Sequence, residues 1–184
     1  KNLRVFRDDL YPHLCGGNKG RKMISIGEDI IKKKSNALVT TGGINSNHCR
    51  ALSILANMNN WECTLVLHGS EKEFFSAKGN PLIIRSLNNK IIFSKVEDIS
   101  KNMDLSMEEY KRKGLSPYYV YGGGHSFSGS LAYINAVKEL KLYCTTNNWV
   151  PDYIFLASGT GSTQAGIMSG LVKFDLESEV IGIS

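Results

Sequence analysis

The chain has 184 residues, 42% apolar and 21% charged, with a net charge of +5. A real core can form over one domain or two small ones, the chain is too large for a disulfide-stapled miniprotein, and no apolar run approaches the roughly 18 residues of a membrane helix. The positive charge suits an anionic ligand, but the basic residues are scattered and no arginine–aromatic stripe appears, so neither nucleic acid nor a membrane is an expected partner.

In chain order, Leu3 to Phe6 reads as a short strand. Lys19 to Lys34 reads as a helix, because Met23, Ile26, Ile30 and Ile31 recur at helical spacing. Ala37 to Thr41 is a buried strand, Asn45 to Asn57 a helix and Cys63 to Leu67 a strand. Asn80 to Leu87 is helical, with Pro81 in its first turn. Ile91 to Ser94 is a strand, Met103 to Lys113 a polar helix and Tyr118 to Tyr121 a strand. Gly129 to Leu142 is a helix, Tyr153 to Ala157 a strand, Gly161 to Val172 a helix and Val180 to Ile183 a last strand. Short apolar strands alternating with helices are the mark of parallel sheets covered on both faces, so the expected fold class is α/β. The stretch 144–152, CTTNNWVPD, is the best candidate for a domain crossing.

Cys15, Cys49, Cys63 and Cys144 form no CxxC pair, so a zinc site has no local support. Four free thiols in a reducing, cytoplasmic compartment are expected.

Four stretches could carry chemistry. SGTGSTQAG, Ser158 to Gly166, follows a strand and opens a helix; its glycines, hydroxyls and helix start suit a phosphate. It lacks the GK[ST] of a P-loop and the glycine spacing of a dinucleotide fingerprint, and an ordinary capped turn is the bland alternative. TTGGINSNHCR, Thr41 to Arg50, also opens a helix, placing Ser46 and Asn47 where free N–H groups accept an anion; a capped helix start with Asn45 or Ser46 as cap explains it equally. His48 and Cys49 are adjacent and point to different sides of a helix, which argues against a nucleophilic pair. YGGGHSFSGS, Tyr121 to Ser130, suits close approach to a ligand or a tight crossing, with His125 as a candidate general base or a solvated histidine. LCGGNKGRKM, Leu14 to Met23, places Lys19 and Lys22 one turn apart on one helix face. Two ammonium groups held close depress each other's pKa, and a lysine so depressed is a free amine able to form a Schiff base. A phosphate pocket, an anion pocket and an activated lysine together point to pyridoxal 5'-phosphate.

These stretches resemble the fold-type II pyridoxal-phosphate enzymes, the tryptophan synthase beta superfamily. Within it they are most similar to the 1-aminocyclopropane-1-carboxylate deaminase and D-cysteine desulfhydrase family. The resemblance runs from FRDDL (Phe6 to Leu10) to the end through GGNKGRK, TTGGINSNHCRA, KGNPLIIRSL, YVYGGGHSFSGSLAY and SGTGSTQAG, in order and at matching intervals. It implies that Lys19 is the Schiff-base lysine and that Lys22 helps hold the phosphate. It implies that Asn47 hydrogen-bonds the pyridine hydroxyl, and that Ser46, Asn47 and His48 lie at the substrate carboxylate, with Ser46 a nucleophile or proton relay. Gly159, Thr160, Gly161, Ser162 and Thr163 would wrap the phosphate. The chain departs from the family at Asn45, where glutamine is usual, and at Gly124–His125, which extend the glycine run.

The resemblance further implies a two-lobed molecule, with 1–34 and 146–184 in a larger, incomplete cofactor-binding lobe and 35–145 in a smaller one, and a homodimer. Segments before Lys1 and after Ser184 are expected. The implied activity is a lyase or deaminase acting on a small amino acid and releasing ammonia and a 2-oxo acid. A β-replacement enzyme, a catalytically incomplete phosphate-ligand module and, more weakly, a nucleotide-binding domain are the alternatives.

Overall fold

The computed structural model describes residues 3–184. Thirteen longer elements follow one another: α1 (Gly17–Lys32), β1 (Ala37–Gly43), α2 (Asn47–Met58), β2 (Glu62–His68), α3 (Glu71–Ser76), α4 (Asn80–Arg85), β3 (Lys90–Phe93), α5 (Ile99–Arg112), β4 (Pro117–Val120), α6 (Phe127–Asn147), β5 (Tyr153–Ala157), α7 (Ser162–Lys173) and β6 (Glu179–Ile183). β1 to β4 form a parallel sheet in the order β3-β2-β1-β4, and β5 and β6 form a parallel pair.

The first sheet is covered on both faces, as a parallel sheet requires. Leu38 on β1 and Cys63, Leu65 and Leu67 on β2 pack toward Met23, Ile26 and Ile30 of α1 and Leu52 of α2. The alternate residues, Ala37, Val39 and Val66, pack on Met103 and Tyr110 of α5. Side chains alternate along a strand, so the same residues that divide by parity divide between the two cores. A separate core joins α6 to β5, α7 and β6 through Ala132, Tyr133, Val137, Ile154, Ile167 and Leu171. The stretch 144–152 therefore forms the end of α6 and its exit into β5, while the packing changes partner earlier, at the Gly122–Gly124 turn.

Leu3 to Phe6 is no strand: Leu3, Val5 and Phe6 are exposed and pair with no neighbouring strand. α3 has no counterpart in the sequence reading. It is six residues long, too short to show a period, and starts where the Ser70 hydroxyl accepts from Glu73 N–H. α6 begins before Gly129 because Ser126 caps it, accepting from Gly129 N–H at 3.1 Å.

In the first sheet β2 and β3 lie to one side of β1 and β4 to the other. Beyond the carboxyl ends of β1 and β4 the two following chains part, and such a switch point leaves a crevice for a ligand. The 41–50 and 121–130 stretches open there.

Candidate functional site

The approach to Lys19 is strained. Leu14, Cys15, Gly16 and Gly17 follow one another at φ of 54°, 62°, 72° and 75°, a left-handed run that only the glycines adopt freely. A Cβ on Gly16 would sit 2.5 Å from the Asp9 carbonyl oxygen. The turn delivers Lys19 into the first turn of α1, where its Nζ donates to the Gly123 carbonyl at 2.8 Å. Burial lowers its pKa from the ordinary lysine value.

Lys22, one turn on, is 1% exposed, and its Nζ donates to Ser162 Oγ at 2.6 Å. Its pKa falls to about 7, first through burial and then through the nearby Lys19 charge. The expected mutual depression is thus uneven. Burial accounts for Lys19, and Lys22 is the lysine that feels its neighbour.

Ser162 belongs to the loop after β5, which meets α1 across a long sequence separation. Thr160 Oγ1 lies 3.3 Å from Ser162 Oγ, and Asn18 Nδ2 reaches Thr163 Oγ1 at 3.5 Å. Gly161 takes φ 77° at the start of α7, and a Cβ built on Gly159 or Gly161 meets no atom within 4 Å. The loop therefore faces open space with backbone and hydroxyl donors beside a buried ammonium that has no carboxylate partner among the described residues. A phosphate dianion fits that donor set: it supplies the missing countercharge and accepts from Ser162, Thr163 and the helix start. Lys19, Lys22, Gly159, Thr160, Gly161, Ser162 and Thr163 are accordingly brought together. Gly123 completes the group through its carbonyl, and a Cβ there would lie 3.0 Å from Thr160 Cγ2.

Ser46 caps α2, its Oγ accepting from Cys49 N–H at 3.1 Å, and its hydroxyl also lies beside the Cys49 thiol. Gly42 permits this close return, since a Cβ there would be 2.7 Å from Ser46 Oγ. Asn47 is exposed and lines a cavity of about 200 Å³ with Lys19, Asn18 and Arg50.

His48 is placed elsewhere. It is 2% exposed, below the start of α2, with Nε2 2.8 Å from Thr40 Oγ1. The Thr40 hydroxyl spends its hydrogen on the Val120 carbonyl at 2.7 Å, so Nε2 must be the histidine's donor. Nδ1 is then a buried acceptor without a partner among the described residues. Burial, helped by the charges of Lys19 and Lys22, pushes the pKa down to about 3, so the ring is neutral at physiological pH. The histidine expected at a substrate carboxylate braces the site from beneath. His125 stays exposed beside Tyr121, 6.4 Å between ring centroids. Burial raises the Cys49 thiol to about 12, which removes it as a nucleophile.

The sequence reading missed Thr40, Arg50, Asn80 and the Gly123 carbonyl. Arg50, Asn80 and Gly123 carried a signal, because they stand in the TTGGINSNHCRA, KGNPLIIRSL and YVYGGGHSFSGSLAY motifs, whereas Thr40 carried none.

An α/β crevice with a half-buried lysine, a buried second lysine and a glycine–hydroxyl loop suits a phosphate-bearing ligand. A family model described as pyridoxal-phosphate dependent enzyme matches residues 3–184, and the chain belongs to that family. The D-cysteine desulfhydrase of Klebsiella pneumoniae is 27% identical over 188 residues, covering 100% of this chain and 57% of that protein. A solved structure described as an ACC deaminase homologue matches with a TM-score of 0.81 at 32% identity, over 96% of this chain and 54% of that one. An L-serine ammonia-lyase from Rhizomucor miehei shares the fold, with a TM-score of 0.68 at 19% identity over 91% of this chain and 50% of that one. The chain thus spans a little over half the length of the relatives it matches. Among the described residues no helix is long and apolar enough to cross a membrane, and no cluster of three or more His, Cys, Asp or Glu could hold a metal.

Proposed function

We propose that the chain is the cofactor-holding part of a pyridoxal-phosphate lyase or deaminase that acts on a small amino acid and releases ammonia and a 2-oxo acid. D-Cysteine, which would also release sulfide, and 1-aminocyclopropane-1-carboxylate are the substrates the similar proteins favour. One observation carries the reading: two lysines one turn apart, the first held at Gly123 and the second buried against Ser162 of the phosphate-shaped loop.

When bound, pyridoxal phosphate supplies an electron sink for charge developing beside the substrate amine. The chain's residues do the rest. Lys22, Ser162, Thr163 and the start of α7 would hold the phosphate, with Gly159, Thr160 and Gly161 leaving room for it. Lys19 is the attachment lysine; leaving the Gly123 carbonyl frees its amine, which burial already keeps less protonated. That amine is then placed to hold or move a proton. Asn47 would face the ring, and Ser46 Oγ, which accepts from Cys49 N–H, would turn its hydrogen to a substrate carboxylate or relay a proton. His48 keeps these residues in place and stays uncharged. The Gly122–Gly124 turn divides a smaller lobe, about 35–121, from a larger one that contains α1, α6 and the β5–β6 pair, and the protein works as a homodimer in a cytoplasmic setting.

The test is to incubate the protein with pyridoxal phosphate, reduce with borohydride and map the modified peptide by mass spectrometry. A visible band and a pyridoxyl group on Lys19 are expected, followed by 2-oxo acid release from D-cysteine or the cyclopropane amino acid. Label spread over surface lysines, with no visible band, would overturn the assignment of Lys19.

A further inference from the structure

Three polar side chains beside the cavity fix one another's orientation. Arg50 carries only donors. Its Nη1 lies 3.2 Å from Asn47 Oδ1 and 3.2 Å from Asn80 Oδ1, and its Nη2 lies 3.2 Å from the Gly16 carbonyl. An atom facing a guanidinium hydrogen must be an acceptor, so both amides present oxygen to Arg50. Asn80 Nδ2 then spends its two hydrogens on Asn47 Oδ1 at 2.8 Å and the Asn45 carbonyl at 2.9 Å. Asn47 Oδ1 is doubly engaged. Its Nδ2 has no hydrogen-bond partner among the described residues, and Asn47 lines the cavity shared with Lys19.

We infer that Asn80 and Arg50 are positioning residues that lock the Asn47 amide with its N–H groups toward the cleft, so that position 47 presents a donor and suits an anionic ring oxygen of the cofactor rather than a protonated hydroxyl. The inference rests on the reading above that Asn47 faces the cofactor ring. The same residues tie three pieces of chain together: Asn80 starts α4, Arg50 sits in the first turn of α2, and Gly16 belongs to the turn that delivers Lys19. The donor and the attachment lysine are therefore held in one frame.

Carboxylate at position 80 separates orientation from simple support. Asn80→Asp keeps an acceptor for Arg50, and with a charge, but has no hydrogen for Asn47 Oδ1 or for the exposed Asn45 carbonyl. The Asn47 amide would turn over, giving Nδ2 to the carboxylate and aiming its oxygen at the ring oxygen. The readout is the pH titration of the visible band in the protein loaded with pyridoxal phosphate, beside thermal melts. A lost donor destabilises the anionic ring oxygen, so the titration of Asn47→Ala moves to higher pH by roughly one unit, the size of one hydrogen bond. Asn80→Asp is expected to move it at least as far while melting like the parent, and Asn80→Ala less, because Arg50 still holds Oδ1. The double variant Asn47→Ala/Asn80→Asp should shift no further than Asn47→Ala, as coupled residues require. A folded Asn80→Asp protein that titrates like the parent, when Asn47→Ala shifts, would overturn the clasp. Asn47→Ala titrating like the parent, with Lys19 still labelled, would overturn the Asn47 contact and the clasp with it. Absence of the Lys19 label in the parent protein marks failure of the cofactor assignment itself.

Discussion

At the scale of single residues, Lys22 and Thr40 make the sharpest claims. Lys22 is a buried amine whose one hydrogen-bond partner among the described residues is a neutral hydroxyl, so a charge on it is a liability until an anion arrives. Lys22→Met should therefore act in opposite directions on stability and binding. Protein prepared without cofactor should melt higher than the parent, while affinity for pyridoxal phosphate falls by about 2–5 kcal/mol, as when one partner of a buried charge pair is lost. Melting curves and an equilibrium titration check the two signs, and a lower melting temperature would show that Lys22 supports the fold without a ligand. Thr40→Val leaves the His48 Nε2–H and the Val120 carbonyl without partners, and should cost about 1–3 kcal/mol in a denaturant titration, with Thr40→Ser recovering most of it. Sequence alone marked Lys19, Lys22 and the Ser162 loop, because glycines beside lysine or hydroxyls are chemically unusual. It misplaced His48, because each step along a helix turns the side chain by about 100°, which carries His48 away from both Ser46 and Asn47. Thr40 carried no signal, since a threonine in a strand reads as a β-former.

Among elements, the six strands of the two sheets were legible within a residue or two, because apolar runs between glycine and polar breaks have few other readings, while Leu3 to Phe6 shows that a short apolar run without a sheet neighbour misleads. The contacts between helices were not. α7 lies against α6 through Gly166 and Gly170: a Cβ at Gly166 would meet the Ser130 carbonyl oxygen at 2.4 Å, and one at Gly170 would meet Val137 Cβ at 2.7 Å. That contact also seats Ser130 Oγ on the Ser162 carbonyl at 3.1 Å, beside the phosphate loop. Periodicity shows that a helix exists, but not which small residues let a neighbour come close. Gly170→Ala is expected to destabilise by about 1–3 kcal/mol, the ordinary cost of overpacking. Gly166→Ala, nearer the loop, should additionally weaken cofactor binding, read by titration at a temperature where both variants remain folded. Equal effects of the two substitutions on binding would show that the loop is insensitive to the helix contact.

For the whole molecule, buried titratable groups on different elements set one pH profile for stability. Lys22 binds its proton at about 7 in the folded protein against 10.5 for an ordinary lysine. Between those values the unfolded chain holds a proton that the folded one lacks, so stability rises with pH through that window. His48, lowered from 6.5 to about 3, works in the same sense at acid pH: stability falls as pH drops from 6.5 toward 3. The buried thiols have the opposite sign. Cys49, raised from 9.0 to about 12, and Cys63, also raised by burial, stay protonated when folded, while the unfolded chain loses those protons above pH 9. Lys22, joined by Lys19, whose pKa burial also lowers, then opposes the two thiols and the Tyr110 and Tyr133 hydroxyls, which burial raises, and the balance turns downward. Stability of protein prepared without cofactor should therefore climb from pH 7, pass a maximum above pH 9 and decline in stronger alkali. Lys22→Met should flatten the climb, and Cys49→Ala should soften the decline. Pyridoxal phosphate should remove the climb as Lys22→Met does, because a phosphate dianion beside Lys22 raises its pKa and restores its proton. That restoration also requires proton uptake on binding at pH 8, which calorimetry in buffers of different ionisation enthalpy measures directly. Uptake that persists in Lys22→Met would place the proton on another group and separate the phosphate loop from the lysine that fits it.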